Sequence, residues 1–243
     1  VALEETEFGW SRSTWLSEWM FFGFPQGDSP LTFELQRKQA APGVWLIYGE
    51  FHNSTVVELG DGKLVVIEAP FSAELTDTLF DLIDESWPDQ RVTAVVLTHH
   101  HLDHAGGIRA VVERGLPLYV HASDEQRVIE LLGRPATVRP RPPLATPNVV
   151  AVLDQLVLRG SVRSVELHDF PSAHVDPMLV VWVPEAQLIH VADLLNPGLI
   201  PTRGPGGAVF RMFIRAIGPF NLDKAGTYAQ SLSQGLEEVG WPF

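Results

Sequence analysis

The chain has 243 residues, 45% of them hydrophobic, enough to bury a sizeable core in one large domain. Thirty acidic residues against 17 basic ones give a formal net charge of −13, which repels phosphate backbones and anionic lipid surfaces and argues against nucleic-acid or membrane partners. Cysteine is absent, so disulfides, thiolate nucleophiles and thiolate metal sites are excluded. No apolar run reaches the ~20 residues of a membrane-spanning helix, and the amino-terminal residues do not form a signal peptide.

Residues 1–42 concentrate aromatic side chains: Trp10, Trp15, Trp19, Phe21, Phe22 and Phe24. The segment reads as an appendage packed on a main domain of residues 43–243. The alternatives are a homo-oligomer contact or a wall of the substrate pocket. From Gly43 on, "VWLIYGEF", "STVVEL" and "KLVVIEA" are strand-like, and "GDGK" between the last two predicts a hairpin. Leu75, Leu79, Leu82 and Ile83 recur at helical spacing in "SAELTDTLFDLIDES". "RVTAVVLT" predicts a strand buried on both faces, and "AGGIRAVVERG" a helix stopped by Gly115. "LPLYVHA" is a further strand, and "SDEQRVIELLG" a helix with a capping box between Ser123 and Gln126.

The prolines of "RPATVRPRPPLATPN" forbid regular structure. This loop is either a surface connector or a lid whose Arg134, Arg139 and Arg141 meet an anionic substrate. Short strands follow from Val149 to Leu167. "MLVVWVPEAQLIHVA" predicts an apolar hairpin turning at residues 184–187, and a last helix begins near Leu222. Strand-rich blocks alternating with single helices indicate an α/β protein with more than one sheet.

The chemistry concentrates in "VVLTHHHLDHAGG", residues 95–107, which holds four of the nine histidines. If the strand runs on, His99 and His101 point the same way and His100 away from them, while Asp103 and His104 occupy the turn into the next helix. Imidazoles crowded beside a carboxylate are costly to bury unless a cation partners them, and these donors suit zinc, iron or manganese. Downstream, His121, His168, His174, His190, Asp169, Asp176 and Asp193 are further candidates. His190 lies inside an apolar strand and reads as a satisfied core residue, and His121 ends a strand and fits either role. Hairpin pairing brings the two ends of "MLVVWVPEAQLIHVAD" together, so His174 and Asp193 become neighbours and candidate ligands.

His99-x-His101-x-Asp103-His104, followed by His174 and then Asp193 after an apolar hairpin, resembles the metallo-β-lactamase superfamily, and in particular bacterial members of undefined substrate. The resemblance implies a four-layer αββα sandwich. It implies a first metal on His99, His101 and His174, a second on Asp103 and His104, and Asp193 bridging the two. Glu68 stands where many relatives carry an aspartate and would orient a ligating histidine. Relatives supply one more histidine after the last helix, but here no histidine follows His190, which implies either a sequence that stops short of that ligand or an incomplete second site.

The implied activity is metal-dependent hydrolysis of a small-molecule ester, lactone, thioester or amide, β-lactams included. Hydroxide held by two zinc ions would be the nucleophile, and Asp103 would position it and pass a proton to the leaving group. Two alternatives remain open: a mono-iron enzyme oxidising sulfur compounds, and a degenerate module that keeps metal for folding alone.

Overall fold

The computed structural model of the chain describes residues 33–49, 53–133, 141, 143–170, 172, 175 and 177–194. The aromatic positions 10–24, the final helix, Arg134, Arg139, His174 and Asp176 lie outside the described residues.

Seven strands form a first sheet in sequence order: β1 (Gln36–Ala41), β2 (Val44–Tyr48), β3 (Ser54–Gly60), β4 (Lys63–Ile67), β5 (Arg91–Val96), β6 (Leu118–His121) and β7 (Val149–Val152). The first four run antiparallel. The hairpin at "GDGK" forms because Asp61 and Gly62 both take positive φ, 51° and 69°, matching the twist of β3 and β4. From β4 to β7 the pairing is parallel, and each step needs a crossover. The first crossover is helix α1 (Ala73–Ser86), capped by the Ser72 hydroxyl accepting from Leu75 N at 3.2 Å and burying Leu75, Leu79 and Ile83 as their spacing predicts. The second holds two short helices, α2 (Leu102–Ala105) and α3 (Ile108–Glu113). The third holds α4 (Glu125–Leu132).

The second sheet is antiparallel, in the order β11 (Leu188–His190), β10 (Met178–Val183), β9 (Ser164–Phe170) and β8 (Gln155–Arg159). Alternation along the strands sorts the core into layers. Val56, Leu64, Val66, Val95, Leu97, Leu118 and Val120 face the helices. Val57, Val65, Ile67, Ala94 and Val96 face the second sheet, where they meet Val165, Leu167, Leu179, Val181 and Val183. Phe170, Met178 and Val180 are buried on the far side of the second sheet. Strand β4 anchors both layers: Leu64, Val65, Val66 and Ile67 are all 0% exposed. At about 1.5–3 kcal/mol per buried side chain, these four contribute roughly 6–12 kcal/mol of gross burial before chain entropy is subtracted. Among the described residues no helix is long and apolar enough to cross a membrane.

Three local expectations are corrected. Strand β5 stops at Val96, because Thr98 turns its N–H to the Glu68 carboxylate (3.4 Å) and its carbonyl to Leu179 N (2.8 Å), so the chain leaves the ladder before the histidines. Asp103 and His104 sit on the short helix α2 rather than on a turn preceding a helix. The capping box does not form. Ser123 lies in a 3₁₀ turn, Ala122–Asp124, where its N–H donates to His121 Nδ1, and Gln126 bonds Glu130 instead. Residues 36–41 of the aromatic-rich segment pair with β2 as an edge strand.

Candidate metal centre

The histidine-rich loop leaves β5 at its carboxyl end, where α/β folds place their chemistry. It is held by backbone bonds to the segment after β4: Ala69 N to His104 O (2.9 Å), Phe71 N to Leu102 O (3.1 Å) and Gly107 N to Ala69 O (2.8 Å). This approach requires Gly106 and Gly107, since a Cβ would strike the Phe71 carbonyl at the first and Thr76 at the second. Strain accumulates beside the site. Glu68, Phe71 and Ala192 take positive φ (77°, 50° and 44°), a conformation that non-glycine residues keep only where surrounding structure enforces it.

Two donor groups result. His99, His101 and Asp193 offer ligand atoms within 4.8 Å of one another, and so do Asp103, His104 and Asp193. Asp193, in the 3₁₀ turn after β11, is common to both. The ring centroids of His99 and His101 are 4.6 Å apart, and those of His99 and His104 4.1 Å. The two rings of His99 and His101 converge although the strand ends before them, so loop geometry aims them rather than strand alternation. Of the expected ligands, only His174 lies outside the described residues.

Glu68 organises the donors from below. Its Oε1 accepts from the Thr98 hydroxyl at 2.6 Å and lies 3.2 Å from His104 Nδ1 and 3.3 Å from His190 Nε2. Because the Thr98 proton goes to the carboxylate, Thr98 Oγ1 accepts from His99 Nδ1 at 3.0 Å, which leaves the His99 Nε2 lone pair for a cation. By the same reasoning His104 Nδ1 turns its proton to Glu68. Its Nε2 then faces Asp103 at 3.4 Å and Asp193 at 3.3 Å. A lone pair among carboxylates is repulsive unless a positive charge sits between them, so the donor set fits a divalent cation.

With no ion bound, a second ring proton on His104 supplies that positive charge, and a cation would take its place. Burial alone would push the Glu68 carboxyl up, but the His104 charge and hydrogen bonds from His104 and His190 hold it well below its ordinary value. Burial alone would lower His104, yet Asp103, Asp193 and Glu68 hold it well above its ordinary value.

Other candidates have structural partners. His100 turns away, as expected, and its Nδ1–H donates to Asp124 at 2.8 Å. His190 is satisfied by Thr55 (3.0 Å) and Glu68. His168 contacts Glu166 at 3.2 Å. Arg141 is not available to a substrate: it is clamped by Glu113 (2.6 Å), Asp77 (2.8 Å) and Glu74 (3.3 Å) on α3 and α1. Burial would lower its basicity, but these carboxylates raise it further. Thr55, Thr98 and His190 were not legible as parts of the site. Their roles depend on strand register, and the only sequence signal was a histidine and two threonines at strand ends.

Two sheets with helices on the outer face of the first, and a histidine–aspartate cluster at their shared edge, define a metal-binding α/β sandwich. The family model of the metallo-β-lactamase superfamily matches residues 47–236, and the chain belongs to that superfamily, with its αββα fold. A type 2 metallo-β-lactamase from Bacillus sp. (strain 170) is 28% identical over 137 residues, covering 56% of this chain and 48% of that protein. An (R)-specific secondary-alkylsulfatase from Pseudomonas sp is 38% identical over 61 residues, 25% of this chain and 9% of that protein. The chain thus spans about half the length of the curated lactamase it matches and far less of the sulfatase. Among solved structures, the DIM-1 metallo-β-lactamase aligns with a TM-score of 0.57 at 18% identity, covering 85% of each chain, a likeness of fold alone.

Proposed function

We propose that the chain is a metal-dependent hydrolase acting on a small ester, lactone, thioester or amide. The observation that carries this reading is the pair of donor groups sharing Asp193, with the protons of His99 and His104 drawn off to the far side of each ring. His99, His101 and Asp193 would hold one cation, with His174 as the further ligand the family pattern supplies. Asp103, His104 and Asp193 would hold a second. Zinc fits this nitrogen and oxygen set, and iron or manganese are the other candidates. When bound, such ions supply Lewis acidity and make water nucleophilic at neutral pH.

The protein's own residues do the rest. Asp103, 3% exposed, presents a carboxylate beside both donor groups, placed to orient the attacking water and carry its proton to the leaving group. Thr98 and Glu68 fix the ring orientations, so no reorganisation is needed as charge develops. The −13 net charge disfavours polyanionic substrates, which sets nucleic acid aside.

The test is a metal count on purified protein with turnover of an ester, lactone, thioester, β-lactam and alkyl sulfate panel. Zinc-dependent turnover is expected, and His101→Ala and Asp103→Ala should each lower it at least 100-fold while the circular dichroism spectrum is retained. Full activity in either variant overturns the reading. One observation favours a second reading: His99, His101 and Asp193 alone make the two-histidine, one-carboxylate set used by mono-iron oxygenases. One iron per chain would support it; two zinc ions would reject it.

A further inference from the structure

One strand outward from the metal centre in each sheet, a second polar pair sits between the sheets. Leu97 N donates to Tyr119 O (2.9 Å), so His121, at the end of β6, comes level with Thr98. Tyr119 packs between the sheets, and His121, two residues on, faces the same way. On β9, Val165 and Leu167 face this space, and Asp169 continues their series. Its partner in register is Leu179, whose N–H donates to Thr98 O at 2.8 Å. His121 Nε2 and Asp169 Oδ1 stand 3.5 Å apart.

The chemistry of this pair is fixed by its surroundings. Ser123 N–H donates to His121 Nδ1 at 3.1 Å, and a backbone N–H can only donate, so the Ser123 hydroxyl, 2.8 Å from the same nitrogen, takes the donor role as well. The ring proton is therefore on Nε2, which makes His121 a donor toward the inter-sheet space and not a ligand there. His121 is 5% exposed, and neither its Nε2 nor the covered Asp169 Oδ1 has a hydrogen-bond partner among the described residues. The Asp169 side chain as a whole is 40% exposed, so the pair opens toward solvent. At 3.5 Å the Nε2–H and Oδ1 face each other too loosely to satisfy one another, so a polar group that reached both would complete the pair.

We propose that His121 and Asp169 form a substrate-recognition subsite next to the metal centre, taking a neutral hydroxyl or amide group close to the scissile bond. The group accepts from His121 Nε2–H and donates to the Asp169 carboxylate. An anionic substituent would meet Asp169 and is rejected. This rests on the hydrolase reading above and narrows its substrate class.

The test compares para-nitrophenyl glycolate with para-nitrophenyl propionate, which differ by a hydroxyl in place of a methyl, on the zinc-loaded full chain. After correction for their hydroxide-catalysed rates, the wild-type kcat/KM ratio should favour glycolate by about 10–100-fold, because a site built to bond a hydroxyl discriminates against the analogue lacking it. In His121→Phe and Asp169→Leu the ratio should fall to near unity, and His121→Gln, which keeps an N–H donor, should retain part of it. Asp169→Leu, at a half-exposed position, keeps the test open if His121→Phe fails to fold. A wild-type ratio near unity, or one unchanged in both variants, overturns the subsite. Saturation-transfer NMR with glycolamide reads the pair without turnover. Glycolamide binding to wild type but not to the variants, with neither ester hydrolysed, sinks the hydrolase reading and leaves the subsite standing. No glycolamide binding to wild type removes it.

Discussion

Glu68 receives contacts from Thr98 and His104 of the histidine loop and from His190 of the second sheet, and it does so in a strained conformation at φ 77°. Its work depends on charge, because only a carboxylate accepts from all three at once. Glu68→Gln, nearly the same shape, should therefore lower zinc affinity by about 10–100-fold with little change in secondary structure, as measured by chelator competition. Unchanged affinity would mean that the histidines are oriented without it. At this scale the sequence was legible where the ligands are local. Four donors within six residues need no knowledge of the fold. The partners that aim them were not legible, since Thr55 and His190, 135 positions apart, meet only where the two sheets pack against each other.

The elements were legible by their periodicity, and they failed where a tertiary contact outbid it. The capping box around Ser123 lost its N–H to His121, and β5 gave up its last residues to Glu68 and Leu179. Strand β1, "QRKQAA", carries almost no apolar signal because it is exposed at a sheet edge. The turn between β10 and β11 has its own device: the Glu185 carboxylate accepts from both Ser164 N and Ser164 Oγ at 3.1 Å, tying the hairpin to β9. Burial pushes this carboxyl up, but the Ser164 bonds, with the nearby Arg163 charge, together outweigh it and hold the group below its ordinary value. Its folded pKa is thus the lower one. The link is fully stabilising above the unfolded value near ~4.3 and fades as pH falls through the folded value. Because Glu185 is exposed, Glu185→Gln should cost only a few tenths of a kcal/mol at pH 7, and urea titrations should show the difference vanishing once the pH falls below the folded value. A difference that persists in acid would show that the turn is held by something other than this charge.

For the whole molecule, the metal centre joins both sheets, so an ion that binds only the folded state also stabilises it. Free zinc at about 100 times its dissociation constant adds roughly 2.7 kcal/mol. For a chain of this size that raises the melting temperature by about 5–10 °C, and a chelator should reverse it. Calorimetry showing no shift in protein that has lost its metal would separate the donor cluster from the fold. The architecture at this scale was only partly legible. Alternating strands and helices indicated more than one sheet, while the layered sandwich came from the likeness of the histidine motif to a known superfamily.

Asp193 stands 94 positions beyond His99 and reaches the centre only once β10 and β11 have paired against β9. On the ribosome, the first sheet and its histidine loop emerge well before that carboxylate exists. A nascent chain halted near residue 160 should therefore capture zinc poorly, however well its first half has formed. Loading of the ion would then follow the pairing of the second sheet and would not be an early nucleus around which the first sheet assembles.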